Sequence, residues 1–67
     1  MKPEIEKILS KTEIKIIELL EQGSSNKVIS LKCNISENTV KYHLKNIYKK
    51  LNVHSRMETI YKINQNN

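Results

Sequence analysis

The sequence predicts an all-α fold built from four short helices, and three observations predict it. Apolar residues recur at helical rather than alternating spacing along the chain. Ser10, Ser25, Ser36 and Ser55 each stand just before such a run, where a side-chain oxygen accepts from the first free backbone N–H groups of a helix. Gly23, Asn34 and Asn52, residue types that accept a left-handed backbone, stand where three of the runs stop. No stretch alternates as a strand would, and no Asn-Gly hairpin signal appears.

Each helix has its own start and stop. Leu9-Ser10-Lys11-Thr12-Glu13-Ile14 reads as a capping box with Leu9 stapled against Ile14, and opens a helix over about 11–22 that carries Ile16, Ile17 and Leu20 inward before Gly23 ends it. Ser25 caps a helix of barely two turns, about 26–33, with Ile29 and Cys33 on one face. Cys33-Asn34-Ile35 turns sharply, Ser36 caps a longer helix over about 37–51, and Asn52 stops it. Ser55-Arg56-Met57-Glu58 repeats the capping box and starts a last helix, about 56–63, that frays into Asn64-Gln65-Asn66-Asn67. Met1 to Ile8 forms only a lead, and a packed core over about 9–63 makes residues 1–67 one domain.

Length and composition limit what such a chain does. A domain of 67 residues buries only about 60% of its unfolded surface, which leaves no room for a deep catalytic cleft. No residue set supports catalysis, so no enzyme activity and no cofactor is expected. One cysteine excludes an internal disulfide, and two histidines without an aspartate make a poor metal-ligand inventory. No apolar run approaches the roughly 20 residues of a membrane span, and no signal peptide follows Met1, so a soluble, cytoplasmic chain is expected.

The net charge of +5 is unevenly spread. Residues 1–22 carry four lysines against five glutamates, residues 23–51 carry six lysines against Glu37, and residues 52–67 hold Arg56 and Lys62 against Glu58. The positive excess therefore lies in the middle of the chain, which points to a polyanionic partner, although a lysine-rich solubilising face is the plainer reading.

Within that middle, the helix from Ser36 to Leu51 has two unlike sides. At about 100° per residue, Val40, Leu44, Ile47 and Leu51 line one stripe, while Lys41, Tyr42, Lys45 and Lys49 line the other. A core needs only the first stripe. The second is a row of cations with an aromatic donor among them, on a rod slim enough to enter the major groove of DNA. A two-turn helix, a tight turn and a longer basic helix make a helix-turn-helix, in which the second helix reads the groove and the first crosses the backbone.

The order and spacing of the residues sharpen this reading. Leu9-Ser10-x-x-Glu13, Glu21-Gln22-Gly23-x-Ser25-Asn26-Lys27, Ile35-Ser36-Glu37-x-Thr39-Val40-Lys41-x-His43-x-x-Asn46-Ile47-x-x-Lys50-Leu51 and Val53-x-Ser55-Arg56-x-Glu58 together resemble the LuxR/GerE-type DNA-binding domain over about residues 9–63. The resemblance implies a compact four-helix helix-turn-helix domain of a bacterial transcription regulator, sequence-specific for double-stranded DNA. It puts base contacts on Lys41, Tyr42 and Lys45, and backbone contacts on Asn26, Lys27, Ser36, Asn38, Thr39 and Lys49. The chemistry agrees, since lysine donates to guanine O6 and N7, and short hydroxyl or amide side chains at a helix start bond phosphate. It further implies a homodimer on an inverted repeat through Ile60, Tyr61 or Ile63 of the last helix, with RNA polymerase as a further partner. Members usually carry a receiver, autoinducer-binding or large nucleotide-binding module as well, and the wording of residues 39–53 tilts toward a domain excised from a member with a large sensor module.

Plainer readings stand beside these. Tyr42 lies along lysine stems as readily as on a base edge. His43 reads as a half-buried histidine bonded to backbone or phosphate, not as a metal ligand or base, and His54 touches phosphate or solvent. Cys33, where the family has leucine, is a small buried hydrophobe that leaves volume to fill, and Thr39 bonds back to its own helix. Lys50 points away from the groove, and Glu13 either caps its helix or pairs with Arg56. Asn34 and Asn52 replace the family's usual glycines at a cost of a few tenths up to about 1 kcal/mol each. Two other readings of the basic helix remain: a small basic protein-interaction module meeting an acidic partner such as polymerase, and a sigma-factor-type helix-turn-helix, against which the Asn-Val-x-Ser-Arg-x-Glu tail argues.

Overall fold

In the computed structural model, which describes residues 1–65, five helices follow one another: α1 (Pro3–Ile8), α2 (Lys11–Glu21), α3 (Asn26–Cys33), α4 (Glu37–Leu51) and α5 (Arg56–Asn64). The fold is all-α, with one helix more than the four expected. Pro3 at the first position and Glu4 and Glu6 in the first turn favour α1, whose Ile5 leans half-buried on the core while no residue of it is fully buried. Helix α5 runs to Asn64; the expected fraying at Asn66 and Asn67 lies outside the described residues.

The serine caps form as short-range hydrogen bonds. Ser10, Ser25, Ser36 and Ser55 accept from the backbone N–H groups of Glu13, Val28, Thr39 and Glu58. At Ser10 the Glu13 carboxylate also accepts from the Ser10 N–H at 2.8 Å, which completes the box. At Ser55 the box is only half made, because the Glu58 carboxylate accepts from the His54 N–H at 2.9 Å instead.

Three helices end in the same way. Gly23, Asn34 and Asn52 are left-handed, with φ of 82°, 57° and 56°. In each case the residue after them donates its N–H back five residues: Ser24 to Leu19 O, Ile35 to Ser30 O and Val53 to Tyr48 O, all at 3.0 Å. At the last two, the returning Ile35 and Val53 drop onto the core, so the stop also fixes where the chain goes next.

Ile16, Ile17, Leu19 and Leu20 of α2, Ile29 of α3, Val40, Leu44, Ile47 and Leu51 of α4 and Ile63 of α5 form one core, closed by Leu9 and Val53. Helix α4 packs on α2, α3 and α5. Its inner stripe is therefore held from three directions, which leaves the opposite side free. Lys62 Nζ donates to Leu51 O at 2.8 Å, so a cation from α5 satisfies a terminal carbonyl of α4.

Candidate nucleic-acid interface

Helix α4 presents its cations because its apolar residues are fully engaged. Val40, Leu44, Ile47 and Leu51 are buried, and the helical repeat then turns Lys41, Tyr42, Lys45 and Lys49 outward, all exposed. Among the described residues, Lys27, Lys41, Lys45 and Lys49 form no ion pair. A row of unpaired ammonium groups on a rigid rod supplies the field and the donors that a polyanion needs, with no competing carboxylate to displace.

Lys50, next to Lys49 in sequence, does something else. About 100° round the helix, its ammonium donates to Glu13 Oε1 of α2 at 2.7 Å, and the Glu13 side chain is 5% exposed. Burial raises the pKa of the Glu13 carboxyl, but the Lys50 ammonium and the hydrogen bonds from Ser10 outweigh that and hold it below its ordinary value. The expected pairing of Glu13 with Arg56 is thus replaced. Arg56 points to the other end of α2 and α3, where Nη1 donates to Ser24 O at 3.1 Å and Nη2 to Asn26 Oδ1. Both contacts were missed in sequence, since nothing local distinguishes one cation from another across thirty or more residues.

The start of α3 and the start of α4 hold the remaining expected backbone contacts. Asn26 is half-buried with its oxygen engaged by Arg56, which leaves the Asn26 amide N–H groups as donors; Lys27 beside it is exposed. Ser36 Oγ accepts from Thr39 N–H at 3.0 Å and lies 2.9 Å from Thr39 Oγ1. Thr39 therefore bonds the cap rather than a carbonyl of its own helix. Of the two hydroxyl protons one joins the pair, and the other remains for an outside acceptor at a helix N-terminus. Asn38 is exposed beside them.

On α5 the expected dimer residues separate. Tyr61 is 69% exposed, Ile60 is half-buried against the core, and Ile63 is 3% exposed inside it. Ile63 is corrected from a surface contact to a core residue. Met57, one turn before Tyr61 and on the same side of the helix, is 74% exposed.

The remaining residues take plain places. His43 is half-buried as expected; its ring meets Tyr42 edge-on at 5.7 Å and makes no bond to backbone among the described residues. His54 is exposed beside Glu58, and Cys33 packs half-buried against the core. Among the described residues no three His, Cys, Asp or Glu side chains assemble as a metal site, and no helix is long and apolar enough to cross a membrane.

Comparison with known proteins bears on this surface. Residues 7–63 match the family described as bacterial regulatory proteins, luxR family. The nitrate/nitrite response regulator protein NarP of Escherichia coli is 48% identical over 50 residues, covering 75% of this chain and 23% of that protein. The glycerol metabolism activator of Pseudomonas putida is 40% identical over 58 residues, 87% of this chain and 26% of that protein. The response regulator NarL of Escherichia coli is 39% identical over 57 residues, 85% of this chain and 26% of that protein. The chain spans about a quarter of the length of these relatives. No solved structure matches it at a significant level.

Proposed function

The chain belongs to the luxR family of bacterial regulatory proteins, whose helix-turn-helix serves DNA binding in transcription regulation, and from that membership we propose that α4 enters the major groove of double-stranded DNA. Lys41, Tyr42 and Lys45 face the base edges. Asn26 and Lys27 from α3, Ser36, Asn38 and Thr39 from the start of α4, and Lys49 near its end grip phosphates. The observation that carries this reading is the division of α4: every outward lysine is unpaired, while Lys50, on another flank, is committed to Glu13.

The α3–α4 pair is held as one unit, so the two grips keep a fixed separation. Ile35 anchors the turn in the core, and Arg56 fastens the start of α3 to α5. A helix placed in the groove without such fixed flanks loses orientational freedom on binding and binds more weakly.

A second copy of the chain meets the first through α5, with Tyr61 and the edge of Ile60, extended by Met57, on an inverted repeat whose half-sites lie about one helical turn of DNA apart. The domain works in the cytoplasm by binding and not by catalysis, and RNA polymerase is its further partner at a promoter. Lys45→Ala costs about 1–3 kcal/mol on the preferred duplex and relaxes preference at one base position. Sedimentation with a two-half-site duplex gives two chains per duplex; one chain at saturation refutes the dimer, and equal binding of the Lys45 variant to all sequences with unchanged affinity refutes the base contact.

A further inference from the structure

Beside α4, on the flank away from Lys50, runs an open groove between the helix and the turn that leads to α5. Leu44 and Val53 form its apolar floor, and Lys45, Tyr48, Lys49 and His54 stand around it. We propose that this groove seats the sugar–phosphate backbone of one DNA strand, with Tyr48 and His54 as phosphate donors that supplement Lys49. The proposal rests on the reading of α4 as the groove-entering helix, adds Tyr48 to its contacts and takes His54 to phosphate rather than to solvent.

Three features select this occupant. The groove is continuous with Lys41 and Lys45, so a strand whose bases meet those residues brings its own backbone alongside. Among the described residues Lys41, Lys45 and Lys49 form no ion pair, and Glu58 accepts the His54 N–H at 2.9 Å and lies 3.6 Å from the His54 ring. The composition of the groove also alternates as the ligand does. A nucleic-acid backbone is anionic at each phosphate and apolar at each deoxyribose, and a cationic rim over a floor of Leu44 and Val53 matches both parts. Lys49 lies one helical turn, about 6 Å, beyond the base-facing Lys45 along the axis, which sets its ammonium beside the backbone of the strand that Lys45 reads.

Tyr48 is suited to the role by its anchorage. Its ring packs half-buried against the core, so the phenol is offered from a fixed platform at little entropic cost, unlike a free lysine. His54 is held by the backbone bond of its own residue to Glu58, which leaves the imidazole exposed.

The test uses a duplex selected from a random pool, with single phosphates replaced in turn by neutral methylphosphonate. Tyr48→Phe and His54→Ala, each checked for an unchanged thermal midpoint, are expected to bind the unmodified duplex about 3- to 10-fold more weakly, on random as on selected sequences. At one phosphate, or two adjacent ones, the methylphosphonate should abolish the difference between each variant and the wild type. Wild-type affinity in both variants, or a loss that no methylphosphonate position removes, overturns the groove assignment while leaving α4 as the reading helix. A wild-type chain that binds no duplex overturns both. Binding of an acidic peptide that is lost in these variants, with DNA binding intact, assigns the groove to a protein partner and overturns the proposal.

Discussion

Lys49 and Lys50 have the same chemistry and adjacent positions, yet Lys50 is committed to Glu13 while Lys49 forms no ion pair among the described residues, and substituting each by methionine separates the two. Methionine keeps the apolar stem and removes only the ammonium. In Lys50→Met, Glu13 loses its cross-helix partner at 2.7 Å while its side chain stays 5% exposed, still accepting from Ser10. An unpaired, nearly buried carboxylate costs about 1–3 kcal/mol, and the lower part of that range applies because the Lys50 side chain is 40% exposed and its charge is partly screened. At about 4–8 °C per kcal/mol for a domain of this size, the thermal midpoint falls by roughly 5–15 °C. DNA affinity below the transition, and its dependence on salt, stay as in the wild type. In Lys49→Met the midpoint is unchanged, binding weakens on every sequence, and the slope of log affinity against log salt becomes shallower by about 0.9 for the one lost phosphate contact. Circular dichroism melts and fluorescence anisotropy over a salt series measure both. A shallower salt slope in Lys50→Met, or an unchanged slope in Lys49→Met, refutes the division of the helix.

Two further outcomes test the frame that carries the site. Because the Glu13 carboxyl titrates below its ordinary value of 4.5 in the folded chain, its stabilising contribution is complete above that value and is lost as pH falls through the lower folded pKa. Urea midpoints of wild type and Glu13→Gln should therefore differ most at neutral pH and converge as pH drops well below 4.5, and a constant difference would contradict the ion pair. At Asn34, φ of 57° favours glycine, so Asn34→Gly is expected to gain a few tenths up to about 1 kcal/mol and Asn34→Ala to lose a similar amount, read as opposite shifts of the melting midpoint.

What was legible in the sequence is local. A serine three residues before its partner N–H and an asparagine at a helix end act within one turn, so Ser10, Ser25, Ser36, Asn34 and Asn52 could be read without tertiary knowledge. The two-sided pattern of α4 was equally plain, since fifteen residues sample both faces several times. Short helices sample them too few times. Helix α5 has nine residues, and Ile60, Tyr61 and Ile63 leave its inward phase ambiguous by one position, which is how Ile63 was mistaken for surface. Helix α1 escaped because six residues lie below the length at which periodicity appears, although Pro3 followed by Glu4 and Glu6 marked a start.

Long-range pairing was not legible. Lys50 reaches Glu13 across 37 residues and Arg56 reaches Asn26 across 30, and in both cases the choice of partner follows from how α2, α3, α4 and α5 pack. For the interface this matters at Asn26. Residue type suggested a free phosphate donor, whereas the packed chain holds its oxygen with Arg56 and leaves only the amide N–H groups to act.

The most direct test of α4 as the base-reading helix is selection of bound sites from a random duplex pool, run in parallel with wild type and Lys45→Ala. An enriched motif with two-fold symmetry, half-sites about 10 base pairs apart, and loss of preference at one position of each half-site in the variant are expected. A pool from which the wild type enriches no motif, or an enriched motif that Lys41, Tyr42 and Lys45 substitutions all leave unchanged, would contradict base reading by α4.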